Sequence, residues 1–376
     1  MMGSLRLMRV FGIDLKVHVT FLLALGLGAF QWSQYGAKGA AFGALLVALL
    51  FVCVVLHELG HSLVAKGFGI PVREIILLPI GGMAQMTKKP KTPAQELLIA
   101  IAGPLVNVVI AVGMLIAGVA VLGSSGAAAA FSKLGSAPPS LETMWVVLTA
   151  SNVMLAVFNM LPALPMDGGR VLRSLLAMGL GQSRATRIAA LVARVLAVAM
   201  LIFAVFSGQL MLGLIALFVF FGANAEALEE RMSGALEHVT VGQALNPRAV
   251  TLTADTTLAA AIAWLVRNPQ PAFAVLLGNR LMGVVTRRAL VQAAQEHGPH
   301  GYVAAVMERQ VPTIAVTATL AEAREQMNTG VSPYVAVMAG DDFLGLITEQ
   351  ELAQQAQMAD VFARFGKKGP DTFARE

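Results

Sequence analysis

The sequence predicts a polytopic α-helical membrane domain followed by a soluble α/β tandem module. Three observations lead there: an apolar excess confined to the first 231 residues, basic residues gathered in alternate connections between apolar runs, and a pair of 62-residue units in the remainder. Of 376 residues, 57% are apolar and 13% charged, whereas soluble domains carry about 25% charged residues. Residues 1–231 hold 16 Lys and Arg against 9 Asp and Glu; residues 232–376 hold 11 against 13. The basic residues flank apolar runs, so they read as topology signals at lipid headgroups rather than as a nucleic-acid surface, and no nucleic-acid partner is expected. The single cysteine, Cys53, excludes a disulfide framework within the chain.

Six apolar segments approach the ~20 residues needed to cross a bilayer. They lie near 17–35, 41–65, 95–122, 144–163, 186–207 and 209–228. The first contains Gln31 and Gln34. It follows a positive start, but no small-residue cleavage site comes after it, so it reads as a retained span rather than a signal peptide. Between spans two and three, the stretch Ile75 to Met86 contains Gly81-Gly82 and reads as a short hairpin or loop. One set of connections carries Arg6, Arg9, Lys16, Lys66, Arg73, Lys88, Lys89, Lys91, Arg170, Arg173, Arg184 and Arg187; the other carries only Lys38 and Lys133. The basic set is expected to be cytoplasmic, which, with a span count of six, places both termini in the cytoplasm of a multi-pass protein of the cell membrane.

The soluble half repeats itself. Leu245-Asn-Pro-Arg-Ala-Val-Thr-Leu aligns with Met307-Glu-Arg-Gln-Val-Pro-Thr-Ile, and Gly283-Val-Val-Thr286 with Gly345-Leu-Ile-Thr348, both at an offset of 62. Each unit reads as strand, Ala-rich helix, two strands, helix. The expected boundaries are 1–231 for the membrane domain, 239–295 and 302–357 for the two modules, and 358–376 for a loosely ordered tail.

His57-Glu58-Leu59-Gly60-His61 is an H-E-x-x-H pattern inside an apolar span. Positions i and i+4 share a helix face, so both imidazoles can meet one ion. The neighbouring Glu58 can take a proton from water at that ion. Ionisable groups inside a span are costly and functional by default. Catalytic zinc takes three protein ligands and keeps one position open. Glu74, Glu96, Glu142 and Asp167 are the acids near the spans. Asp167 stands out, because Asn159-Met-Leu-Pro162-Ala-Leu-Pro165-Met-Asp167-Gly168 ends span four on the side where His57 and His61 lie. Its prolines break the helix, and irregular backbone at that depth is tolerated only inside protein or around a cavity.

These residues together resemble the site-2 protease family of intramembrane zinc metalloproteases, with H-E-x-x-H in one span and N-x-x-P-x-x-P-x-D-G in a later one. Gly81-Gly82 and Gly103-Pro104-Leu105-Val106-Asn107 are similar to further features of that family. The resemblance implies one Zn2+ held by His57, His61 and Asp167, with Glu58 as catalytic base. It also implies Asn159 facing the site, an extended stretch 75–86 able to hold an unwound substrate, and transmembrane proteins as substrates. Asn107, Asn159, Gly81 and Gly82 are the candidates for meeting the substrate strand or the oxyanion. The 62-residue repeat resembles a pair of CBS modules, which implies ATP or AMP as a regulatory ligand and a homodimer through the pair. Thr348, Glu351 and Thr286 are the nucleotide candidates; the first module has Ala289 where the signature acid would stand. A CBS-regulated transporter or channel is the competing reading. It accounts for the spans and the repeat, but not for two His at i, i+4 with an adjacent Glu.

Overall fold

The computed structural model describes residues 4–79, 81–134, 137–237, 239–245, 250–268, 270–329, 332–355 and 358; the predicted tail lies almost wholly outside them. The chain divides into two compact units, Met1–Ala227 and Leu228–Glu376.

The first unit opens with two strands, β1 (Ser4–Val10) and β2 (Ile13–His18). A short helix follows, α1 (Phe21–Gln31), then a 3-10 turn at Ser33–Tyr35 and the long α2 (Gly36–Gly67). Next come β3 (Val72–Leu78), β4 (Gly81–Met86), α3 (Pro93–Ser132), α4 (Leu141–Asn159), α5 (Asp167–Leu180), α6 (Gln182–Ser207) and α7 (Leu210–Leu236). Among the described residues, five helical segments are long and apolar enough to cross a membrane: Ser33–Gly67, Pro93–Ser132, Leu141–Asn159, Gln182–Ser207 and Leu210–Leu236.

The segment expected as span one differs. Val17 and His18 are drawn into β2, and only the 11 residues of α1 are α-helical. Pairing with β3 takes the front of the segment, and the turn before Gly36 takes its end. Span three is expected to end near 122; the helical segment runs on to Ser132, with a break at Gly123. Gly123 leaves helical geometry at φ 72° and ψ 167°, a conformation that costs a Cβ-free residue little.

The stretch 75–86 is a hairpin within a four-stranded sheet ordered β1-β2-β3-β4. β2 runs parallel to β3, and the other neighbours are antiparallel. The sheet was only half expected. β1 and β2 are reached through Asp14↔Glu74 to Val17↔Leu77, a register that joins segments some sixty positions apart. The ion pairs Arg6–Asp14 (2.8 Å) and Lys16–Glu74 lie on the sheet, and Lys66 donates to the Phe11 carbonyl. Ile13, Leu15, Ile75 and Leu77 bury against Leu59 of α2 and Ile99 of α3. This core fixes the sheet beside the H-E-x-x-H turn.

Helix starts follow local chemistry. Thr92 caps α3 by accepting from Gln95 N, with Pro93 at the first helical position. Ser140 caps α4 by accepting from Thr143 N at 3.0 Å. α6 buries a stripe of alanines, Ala189, Ala190, Ala193 and Ala197, against Ala163, Leu164, Met166 and Val219. Small residues let helices approach where lipid offers no hydrophobic drive.

The second unit carries α8 (Val241–Ala244), β5 (Thr251–Thr253), α9 (Leu258–Arg267), β6 (Ala272–Leu277), β7 (Arg280–Thr286) and α10 (Arg287–His297). After a 3-10 turn at Val303–Ala305 come β8 (Thr313–Ala315), α11 (Leu320–Thr329), β9 (Tyr334–Ala339) and β10 (Asp342–Thr348). Residues 349–355 are helical. The sheets are β5-β6-β7 and β10-β9-β8, each with one parallel and one antiparallel pairing. The strands, and α9 with α11, recur at the predicted offset. The leading segment 239–245 packs on the second repeat: Val241 N donates to Ala318 O, and Val241 and Ala244 join Ile314 and Leu320 in its core.

Candidate metal centre and the cleft of the second unit

α2 places His57 and His61 on one face, and both are buried. Asp167 reaches them from the first turn of α5. It does so because residues 160–166 leave α4, bend through Pro162 and Pro165, and seat Ala163 and Leu164 under α6 and α7. Gly168 follows because a Cβ there would stand 2.3 Å from the Met160 and Leu161 carbonyl oxygens. Behind Asp167, Arg173 on α5 is buried and held by Glu96 of α3 and by Glu226 of α7 at 2.7 Å, while Gln182 donates to Glu96. Removing one partner from such a buried pair typically costs ~3–5 kcal/mol, so α5 is firmly clamped.

His57 Nε2 lies 3.1 Å from His61 Nε2, and Asp167 Oδ2 lies 3.2 Å from each. These three residues form one group whose ligand atoms all lie within 4.8 Å of one another, so they could hold a metal ion. The outer nitrogens settle the donor set. His61 Nδ1 is 2.6 Å from the Ile99 carbonyl oxygen, which can only accept, so Nδ1 carries the proton. His57 Nδ1 is 2.6 Å from Asn107 Oδ1, which assigns it the same tautomer. With each Nδ1 turned outward to its acceptor, both Nε2 atoms and a carboxylate oxygen converge, a donor set suited to one cation. Tetrahedral zinc with ligands at about 2.0–2.1 Å sets its donors roughly 3.3 Å apart, so these residues fit that ion.

Glu58 is half-buried beside the pair. β4 passes so close that a Cβ at Gly82 would stand 2.6 Å from Glu58 Cγ. Gly81 precedes it at the start of the same strand. Two further residues belong here: Gly103, which the sequence reading names within the Gly103–Asn107 stretch without a role, and Asn152, which it does not single out. Gly103 of α3 presses its backbone on the imidazoles, where a Cβ would meet His61 Nε2 at 2.2 Å and His57 Nε2 at 2.7 Å. Asn152 of α4, fully buried, accepts from Asn107 Nδ2 at 2.9 Å. Gly103 had a signal in its apolar Gly-Pro context; Asn152 had only the cost of an amide inside a span. Both ends of the Asn107 amide are engaged inside the protein, whereas Asn159 sits half-buried at the end of α4.

In the second unit a cleft of about 850 Å³ is lined by equivalent residues of the two repeats: Pro271, Ala272 and Thr286 face Pro333, Tyr334 and Thr348. Arg287 and Arg288 occupy the positions that Glu349 and Gln350 take in the other repeat. Glu351 is not part of this lining; its carboxylate accepts from Thr348 N and Thr348 Oγ1, both at 2.9 Å. The Tyr334 phenol donates to the Glu308 carboxylate, and burial together with that negative charge raises its pKa.

The chain matches peptidase family M50 over residues 45–203 and the CBS domain over residues 303–356. Zinc metalloprotease MJ0392 of Methanocaldococcus jannaschii is 33% identical over 362 residues, spanning 95% of this chain and 97% of that protein. A solved site-2 protease from Methanocaldococcus jannaschii is 41% identical, covering 60% of this chain and 95% of the other, with a TM-score of 0.43. A structure of CBSX2 in complex with AMP is 20% identical over 32% of this chain and 97% of its own, with a TM-score of 0.29. With a full-length relative at this identity, a matching protease segment and a matching CBS segment, the chain belongs to peptidase family M50, the site-2 type of zinc metalloprotease, and carries a CBS domain.

Proposed function

We propose that this enzyme hydrolyses peptide bonds in or near transmembrane segments of membrane proteins, in regulated intramembrane proteolysis. His57, His61 and Asp167 would hold one zinc, and Glu58 would act as general base. The observation that carries this is the convergence of two imidazole nitrogens and a buried carboxylate among long apolar helices. Zinc bound there supplies Lewis acidity toward the scissile carbonyl and toward water. Glu58 takes the proton of the attacking water and returns it to the leaving amine nitrogen. β4 is an edge strand whose outer side has no strand partner among the described residues. An extended substrate segment can add to such an edge through main-chain hydrogen bonds. Gly81 and Gly82 leave room for it, and Asn159 is the amide that remains for the substrate or the oxyanion. Incubating the purified enzyme in detergent with a single-span substrate, with and without zinc chelation, tests the reading. Zinc-dependent cleavage inside or beside the span is expected; intact substrate under every metal condition refutes it.

Residues 1–231 form the protease part of this proposal, and 239–295 with 302–357 the CBS pair. The pair would bind ATP or AMP in the cleft between Thr286 and Thr348, with Arg287 and Arg288 toward the phosphates, and could dimerise. Glu351 would have to leave its cap on Thr348 to reach a ribose. Calorimetric titration of ATP and of AMP into the full-length protein should give saturable heat below millimolar nucleotide; no heat at millimolar concentration removes nucleotide sensing.

The termini and the metal site are proposed to lie toward the cytoplasm. The charge distribution supports this, as does the sheet, in which β1 and β2 share the level of β3 just after the end of α2. Cysteine variants at Lys38, Lys89 and Gly234 can be treated with an impermeant thiol reagent in intact cells. Labelling at position 38 alone is expected; external labelling at 89 or 234 inverts the topology.

A further inference from the structure

We propose that Asn152 is a positioning residue for the metal centre, because it sets the direction of a buried amide chain that fixes the tautomer of His57. This rests on the assignment of His57 as a zinc ligand. The chain runs from His57 Nδ1 to Asn107 Oδ1 (2.6 Å), from Asn107 Nδ2 to Asn152 Oδ1 (2.9 Å), and from Asn152 Nδ2 to the Leu148 carbonyl oxygen (2.9 Å). The second proton of that amide points to Cys53 Sγ at 3.3 Å. Both asparagines are 0% exposed, so no solvent competes for their groups.

The polarity follows from one end. An amide can face a neighbour with either its oxygen or its NH2, and an imidazole can carry its proton on either nitrogen. A main-chain carbonyl has no such freedom, since it can only accept. Leu148 O therefore draws the Asn152 NH2 toward itself, which turns Asn152 Oδ1 toward Asn107. That oxygen demands the Asn107 NH2, and Asn107 Oδ1 is left facing His57. His57 must then carry a proton on Nδ1, which leaves Nε2 as the nitrogen able to ligate a metal beside Asp167. His61 obtains the same result in one step from Ile99 O. Each imidazole is thus referred to a main-chain carbonyl: one directly, the other through two side chains from α3 and α4. A partner that orients a ligating histidine commonly affects metal affinity as strongly as tautomer and ring angle demand.

The test compares full-length variants in detergent by zinc affinity, measured through chelator competition, alongside kcat/KM. Asn152→Leu keeps the volume but removes both functions of the amide, and zinc should bind about 10-fold more weakly, the lower end of what loss of an outer partner costs. Asn152→Asp, protonated in an apolar interior, can still donate to Leu148 O and accept from Asn107, so its affinity should stay within about threefold of the parent. In an Asn107→Ala background the Asn152→Leu loss should vanish, as expected when one residue acts only through the other. Equal affinities for Leu, Asp and parent, equal losses for Leu and Asp, or additive losses in the cycle each overturn the proposal. If Asn152→Leu does not accumulate, Asn152→Ala takes its place in the same cycle. A parent protein that binds no zinc defeats the metal assignment itself, which is a separate outcome.

Discussion

Replacing Glu58 with Gln is expected to lower peptide hydrolysis by about 10²–10⁴-fold, the usual weight of a positioned acid–base group, while zinc content stays at that of the parent. The two results belong together. Glu58 neighbours a ligand in sequence, but it is not among the three residues whose donor atoms converge. Gln has the same length, so it fits the space left by Gly82 beside the Cγ, yet it can neither take a proton from water nor return one. Metal analysis of the purified variant, run beside a cleavage assay, checks both. Loss of zinc from Glu58→Gln makes Glu58 a ligand; retained cleavage removes it from the chemistry.

Asp167→Ala is the second substitution with a large expected effect. Asp167 Oδ2 is 3.2 Å from each Nε2, and removing it leaves two imidazoles from one helix face. Zinc affinity should fall by more than the about 10–100-fold that loss of an outer partner costs, and proteolysis should stop at any zinc concentration the buffer supports. The fold should survive, because Arg173 with Glu96 and Glu226 clamps α5 independently of the metal. Chelator competition combined with a melting curve separates these. Parent-like zinc affinity in Asp167→Ala removes Asp167 from the ligand set.

What could be read from the sequence followed from periodicity. His57 and His61 declare a shared face because four residues make about one helical turn. Asp167 was legible because Pro162 and Pro165 cannot continue a helix. The second unit was legible because each repeat writes its own strands, and Thr251 and Thr313, or Ala272 and Tyr334, start equivalent strands. What escaped depends on contact between distant segments. Leu5 to Val17 looks like a basic flank running into an apolar span, and only its pairing with Val72–Leu78 makes it a sheet. Gly103 is named only as part of a motif, with no role, and Asn152 is an isolated amide, until the helix crossings bring one onto the imidazoles and the other behind Asn107.

The strand beside Glu58 has a consequence for what the enzyme can discriminate. It opens with Gly81-Gly82, so the wall facing the base is bare main chain, and Gly103 makes the wall behind the imidazoles equally bare. Main chain reads main chain: these two glycine walls favour a polypeptide that lies extended over any particular side chain. On the proposed function, choice among substrates would then lean on pliability. If membrane spans are the substrates, as proposed, a span that loosens easily should be cut sooner than one that holds its coil.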